Sequence, residues 1–147
     1  METCQYASCI LVLILISTLN AFSQTGNEIL GTWHNTEKTA QIEIVKVGSE
    51  YLGKIVKLEN AADYSTPQLD SKNEDENLRN RPMVGLTILE GLSYSGGMWK
   101  DGKIYDPNNG KTYSCEVKLT NPSVLEVKGY IGFSWVGRSV EWTKVKK

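Results

Sequence analysis

Arg79 and Arg81 stand two residues apart, just ahead of Pro82. In an extended segment both guanidiniums project to one side, where they can grip a carboxylate, phosphate or sulfate through paired N–H donors. The competing use is structural: Asp70, Glu74, Asp75 and Asp106 are available to pair with them and pin the surrounding loop. Downstream, Tyr105-Asp106-Pro107 and Gly110-Lys111-Thr112-Tyr113 flank one turn. Asp106 there either accepts backbone N–H groups in an Asx arrangement or joins Tyr105 and Lys111 as a polar rim beside the arginines. Trp99, Trp135 and Trp142, with Tyr94, Tyr105, Tyr113 and Tyr130, bring large apolar area with polar tips, suited to core packing and to a ligand cavity alike. The candidate ligand-contacting set is therefore Arg79, Arg81, Trp99, Tyr105, Asp106 and Tyr113.

Signatures of catalysis are thin. Gly132-x-Ser134 lacks the second glycine of a nucleophile elbow, and Gly91-x-Ser93 has Ser95 where that glycine belongs. With one His in the chain, a Ser-His-Asp triad or a multi-ligand zinc site is disfavoured. That residue, His34, has the opposite parity to Trp33 and is expected to face solvent. Cys115 has no base near it in sequence. A carboxylate pair for glycoside cleavage, Asp106 with Asp75 or Glu76, depends on a separation in space that sequence spacing does not fix. The expectation is a protein that is not an enzyme and carries no metal or cofactor. Sixteen basic against 17 acidic side chains give a formal charge of -1 and no broad basic field for a nucleic-acid backbone.

The elements that must position these residues read as strands. Ala40 to Val47 alternates, with Ile42 and Ile44 on one face. Gly48-Ser49 turns into Glu50 to Leu58, which is apolar on both parities and leaves its inner face open. Another strand runs from Val84 to Tyr94, with Gly85 and Gly91 marking bends. Asp101-Gly102 and Asn109-Gly110 are hairpin-turn dipeptides and predict three linked strands across Met98 to Tyr113. Thr112 to Leu119 alternates cleanly and turns Cys115 inward. Val124 to Ile131 points Leu125, Val127, Gly129 and Ile131 inward. In the last strand, from Val136 to about Val145, Arg138 shares parity with the inward Val136, Val140 and Trp142. A cation on that face costs several kcal/mol unless partnered, so it has a structural or functional task. Between the last two strands, Phe133 and Trp135 form an apolar tip if their loop is exposed.

Short strands, turn signals every 8 to 12 residues and no amphipathic helix predict an all-β, antiparallel up-and-down barrel of about eight strands. The exception is residues 60–82, a polar stretch containing Pro67, which is either a solvated insertion or a lid over the barrel mouth. Within it, Asp75 to Asn80 can form one helical turn.

Residues 1–23 read as a secretory signal peptide: Ile10 to Ile16 is unbroken and apolar, and Ala21 and Ser23 place small residues before a cut after Ser23. The n-region has no Lys or Arg. The run is far short of the roughly 20 residues of a transmembrane helix. Residues 24–147 then form a single domain, secreted or periplasmic, with no transmembrane segment. Removing residues 1–23 takes away Cys4 and Cys9, so Cys115 has no intramolecular partner, and its strand context favours a buried, inert thiol.

Gly31-Thr32-Trp33 in the first strand and an inward Arg138 in the last are similar to the Gly-x-Trp and closing Arg of lipocalin-like (calycin) barrels. That resemblance implies a structural closure formed by Gly31, Trp33, Arg138 and Trp142, with Arg138 stacked across Trp33. Nearly the whole of residues 24–147 also resembles domain of unknown function 2147, a family of exported bacterial proteins. The matching runs are Asn73 to Leu86, Trp99 to Gly102, Ile104-Tyr105-Asp106-Pro107, Gly110 to Tyr113, Gly129 to Gly132 and Gly137-Arg138 through Trp142. Glu74 replaces a usual Pro and Asp101 a frequent Gly, both in expected turns. The family implies a barrel and export and supplies no activity.

Three functions are compatible with these residues. The first is a lipocalin-like binding protein for a small apolar or amphiphilic ligand, with Arg79 and Arg81 holding an anionic head group under the 60–82 loop. The second is an envelope protein-interaction module with a filled barrel. The third is an unrecognised hydrolase.

Overall fold

The computed structural model describes residues 25–61 and 65–146; residues 1–23, expected to be a signal peptide, lie outside the described residues. Eight strands close into one antiparallel barrel in chain order: β1 (Gly31–His34), β2 (Ala40–Val47), β3 (Glu50–Leu58), β4 (Thr87–Ser95), β5 (Met98–Asp106), β6 (Lys111–Asn121), β7 (Val124–Tyr130) and β8 (Arg138–Lys144). The up-and-down barrel expected from the turn spacing is the observed fold. β1 meets β8 through the pairs Trp33↔Lys144 and His34↔Thr143, which removes both sheet edges.

Alternation explains which residues fill the interior. Ile42 and Ile44 from β2, Cys115 and Val117 from β6, and Leu125 and Val127 from β7 are all buried, as their parity requires. β3 resisted a parity reading because its register slips opposite Gln41 and Ile42. Tyr51 and Ile55 face inward before the slip and Leu58 after it, so both parities carry core residues.

Three expectations are corrected. Asp101-Gly102 makes no hairpin: β5 runs straight through it, with a register shift between Trp99 and Gly102 and Asp101 at φ 63°. The chain reverses instead at Gly96-Gly97, so two strands and not three span this region. Ile131 and Val136 do not continue the inward rows of β7 and β8; they are 77% and 70% exposed, because the strands end at Tyr130 and begin again at Arg138.

Strictly alternating direction puts the β2–β3, β4–β5 and β6–β7 turns at one end and the four other connections at the opposite end. The first end is closed. Trp33 is fully buried there, its indole N–H donating to the Ile29 carbonyl at 2.8 Å. Trp99 is equally buried and donates to the Gly26 carbonyl at 3.2 Å, with Tyr94 and Tyr51 packed on its ring.

Candidate ligand cavity and its pinned loop

The opposite end is open. A cavity of about 630 Å³ enters the barrel there, within the size range of small-molecule sites, roughly 300 to 1,000 Å³. Ile42, Ile55, Ile88, Val127 and Trp142 form its apolar depth, and Asn35, Asp106, Tyr113 and Arg138 stand at its rim. The β1–β2 turn, the long connection between β3 and β4, the β5–β6 turn and the start of β8 all contribute to the lining.

The long connection is fastened to the mouth by a buried carboxylate. Asp70 is 1% exposed and receives hydrogen bonds from the Tyr105 hydroxyl, from Asn73 Nδ2 at 2.9 Å and from Arg81 Nε at 3.0 Å. Burial opposes its ionisation, but donation from Tyr105, Asn73 and Arg81 outweighs that cost and holds the carboxyl below its ordinary value. Tyr105 carries the complementary shift: burial first, then its bond to Asp70, push the phenol up to about 12. The Arg81 guanidinium also lies 5.6 Å from the centroid of the Tyr105 ring. One backbone bridge, Leu69↔Pro82, ties the two arms of the loop together.

This geometry places the candidate residues in three groups. Arg79 and Arg81 serve the loop. Arg79 Nε donates to the Asn73 carbonyl at 2.7 Å and its guanidinium pairs with Glu76, while Arg81 is engaged with Asp70. The extended segment that would align them is replaced by a 3-10 helix at Glu76–Leu78, capped by the Asp75 side chain, which matches the helical turn expected nearby. Trp99 belongs to the closed end and is absent from the cavity wall. Tyr105, Asp106 and Tyr113 do meet at the mouth. Asp106 is nonetheless spent on its own turn, its side chain accepting from Asn108 N at 2.9 Å in the anticipated Asx arrangement.

Arg138 is the residue whose role changes most. Parity correctly gave its inward side but not its end of the barrel. It lies at the mouth, exposed, and among the described residues its guanidinium makes no ion pair or hydrogen bond. The cation over Trp33 is Lys144, with Nζ 4.8 Å from the ring centroid and 3.1 Å from the Leu30 carbonyl it donates to. Lys144 shares parity with Arg138, so the sequence pointed to the right row and the wrong member. Trp142, 4% exposed, forms part of the cavity wall as well as the core.

The carboxylates once paired for hydrolysis are occupied locally. Asp75 caps its 3-10 helix, Glu76 pairs with Arg79 and Asp106 caps its turn. Cys115 is fully buried, and burial pushes its thiol up to about 12. His34 lies part-buried on the outer wall with Nδ1 4.0 Å from Glu59, where solvent exposure was expected.

Residues 31–144, from the first residue of β1 to the last of β8, match the model of a family described as an uncharacterized protein conserved in bacteria (DUF2147). The chain belongs to this family. Among solved structures it is similar to protein HP1028 from the human pathogen Helicobacter pylori, which is described as belonging to the lipocalin family. The TM-score is 0.71 at 22% identity, covering 80% of this chain and 83% of that one. That likeness concerns the fold, and it agrees with the closed eight-stranded barrel of this DUF2147 member. No match was found among curated proteins.

Proposed function

We propose that this DUF2147 protein is an exported carrier for a small amphiphilic ligand whose apolar part occupies the barrel and whose anionic end meets Arg138. The observation that carries the reading is an unpartnered guanidinium at the rim of a cavity with apolar depth. A ligand carboxylate, phosphate or sulfate would supply the paired acceptors that Arg138 lacks among the described residues. Glu37 and Asp106 also line the mouth, but each is engaged by a nearby donor, Asn35 Nδ2 and the Asn108 backbone N–H respectively. Arg79 and Arg81, the earlier choices for this task, are committed to the loop.

The open cavity favours this reading over a barrel filled by its own side chains. Binding is likewise favoured over hydrolysis, since the candidate carboxylates serve as caps and ion-pair partners. Export rests on the apolar run Ile10 to Ile16 and the small residues that follow it.

The test is titration of the mature-length protein with cis-parinaric acid, an anionic fluorescent fatty acid, and with its uncharged methyl ester. Saturable binding of the acid is expected, weakened about tenfold in Arg138→Gln, with the ester insensitive to that substitution. Gly129→Leu, which builds side chain toward Ile104 and Tyr113 from the cavity wall, should abolish binding of both probes. Equal affinity of wild type and Gly129→Leu would place any bound probe outside the barrel and overturn the proposal.

A further inference from the structure

The β7–β8 connection carries an apolar surface that the cavity does not use. Ile131, Phe133, Trp135 and Val136 are 77%, 62%, 76% and 70% exposed. Phe133 and Trp135 stack with ring centroids 4.4 Å apart and planes 15° from parallel. The loop is built, not loose. Val136 N donates to the Phe133 carbonyl at 3.1 Å and Gly137 N to the Ser134 carbonyl at 3.3 Å, forming the 3-10 helix Ser134–Val136. It packs so closely on β7 that a Cβ at Gly137 would lie 2.7 Å from the Gly129 carbonyl oxygen.

We propose that this loop docks the barrel, mouth first, on an anionic lipid surface. Location is the first argument: an up-and-down barrel puts the β7–β8 loop at the same end as the cavity opening, and Arg138 at its base lines that opening. Charge is the second. Among the described residues the Arg138 guanidinium at the base of the loop has no ion-pair partner, whereas Lys128 is balanced by Glu116 at 3.8 Å, so Arg138 is the loop's one uncompensated charge. Stacked aromatics above unpaired basic charge are the composition that sits at a headgroup boundary.

Shape is the third argument. A stable protein interface buries about 800 Å² on each partner, with complementary surface around the anchors. Four exposed apolar side chains on one short loop are few beside the roughly 20 to 30 residues that such an interface uses on each side, whereas a lipid surface accepts the loop alone. The proposal goes beyond the carrier reading and does not depend on it, because tip insertion requires no ligand in the barrel.

The experiment is co-sedimentation with phosphatidylcholine vesicles containing or lacking phosphatidylglycerol, followed by tryptophan emission. Trp33, Trp99 and Trp142 are buried, so a blue shift and quenching by brominated lipid report on Trp135. Expected are binding to the anionic vesicles, weakening with salt, and at least a tenfold loss in Phe133→Ser/Trp135→Ser. Both substitutions lie on exposed positions, and far-ultraviolet circular dichroism identifies any variant that fails to fold. Trp135→Phe removes the reporter while keeping an anchor, and should retain sedimentation but lose the spectral shift. Failure of wild type to sediment with anionic vesicles overturns the proposal, as does equal sedimentation of a folded double variant. Tip-dependent dimerisation without lipid, with no vesicle binding, would assign the surface to a second copy instead. Gly129→Leu separates the two proposals, since it should abolish parinaric acid binding while vesicle binding stays at the wild-type level.

Discussion

Lys144 lies across Trp33, its ammonium 4.8 Å from the ring centroid and within hydrogen-bond reach of the Leu30 carbonyl. The two residues are direct partners in the β1–β8 seam, so one contact joins the first strand to the last. Lys144→Met keeps the aliphatic stem and removes the charge. It should cost about 2 kcal/mol, combining a cation–π contact with a charge-assisted hydrogen bond. Arg138→Ala should stay within about 0.5 kcal/mol of wild type, as expected for an exposed side chain with no ion pair or hydrogen bond among the described residues. Urea unfolding of the two variants measures the contrast.

Asp70→Asn should destabilise by about 2 to 4 kcal/mol, because it preserves shape but replaces one of the two acceptor oxygens, which serve Tyr105 on one side and Arg81 with Asn73 on the other, by an NH2 donor. The same carboxylate makes stability pH-dependent. Its folded pKa is held below the ordinary 3.8, so its contribution is present above that range and is lost as pH falls through the folded value. The gap between wild type and Asp70→Asn in urea midpoint should therefore be constant near neutrality and close as pH falls below 3.8 through the lowered folded value.

Cys115 should resist alkylation in the native state. Its thiol is buried and pushed up to about 12, so thiolate is scarce at pH 8 and reagents have no access. Iodoacetamide labelling followed by mass spectrometry should track global unfolding, with modification at pH 8 rising only once urea exceeds the unfolding midpoint.

Gly110 joins the β5–β6 turn to the long loop, and its φ is +75°. A Cβ there would fall 1.8 Å from the Lys72 carbonyl oxygen, and backbone cannot step aside as a side-chain end can. Gly110→Ala should cost about 2 to 4 kcal/mol and loosen the loop from the mouth. Hydrogen exchange would show the damage at residues 69–73 before the closed end.

The barrel was legible because its interior rows alternate. β2, β6 and β7 kept the inner faces their periodicity assigned. The misread positions have specific causes. Asp101-Gly102 has the composition of a turn, but a positive φ at Asp101 also serves a bulge, and Gly96-Gly97 had already reversed the chain. Parity distinguished the inward row of β8 without distinguishing its two ends, and the closing contact that the lipocalin-like resemblance implied for Arg138 is made by Lys144. An anion grip by Arg79 and Arg81 required residues 79–81 to be extended, and Asp75 capping instead initiates a 3-10 helix just before them. The carboxylate that claims Arg81 was among the anticipated partners. Its burial, and its bond to Tyr105 35 residues away, emerge only when the barrel closes.

β1 starts and β8 finishes at the closed end, since one leads upward from Gly31 and the other returns to Lys144. Residues 25 and 146 therefore leave the barrel on the side opposite the cavity and the Phe133–Trp135 tip. A surface tether or fluorescent label attached beyond either point would stand clear of the opening. Immobilised by its ends, the molecule would present its mouth outward, with the aromatic pair as its leading edge.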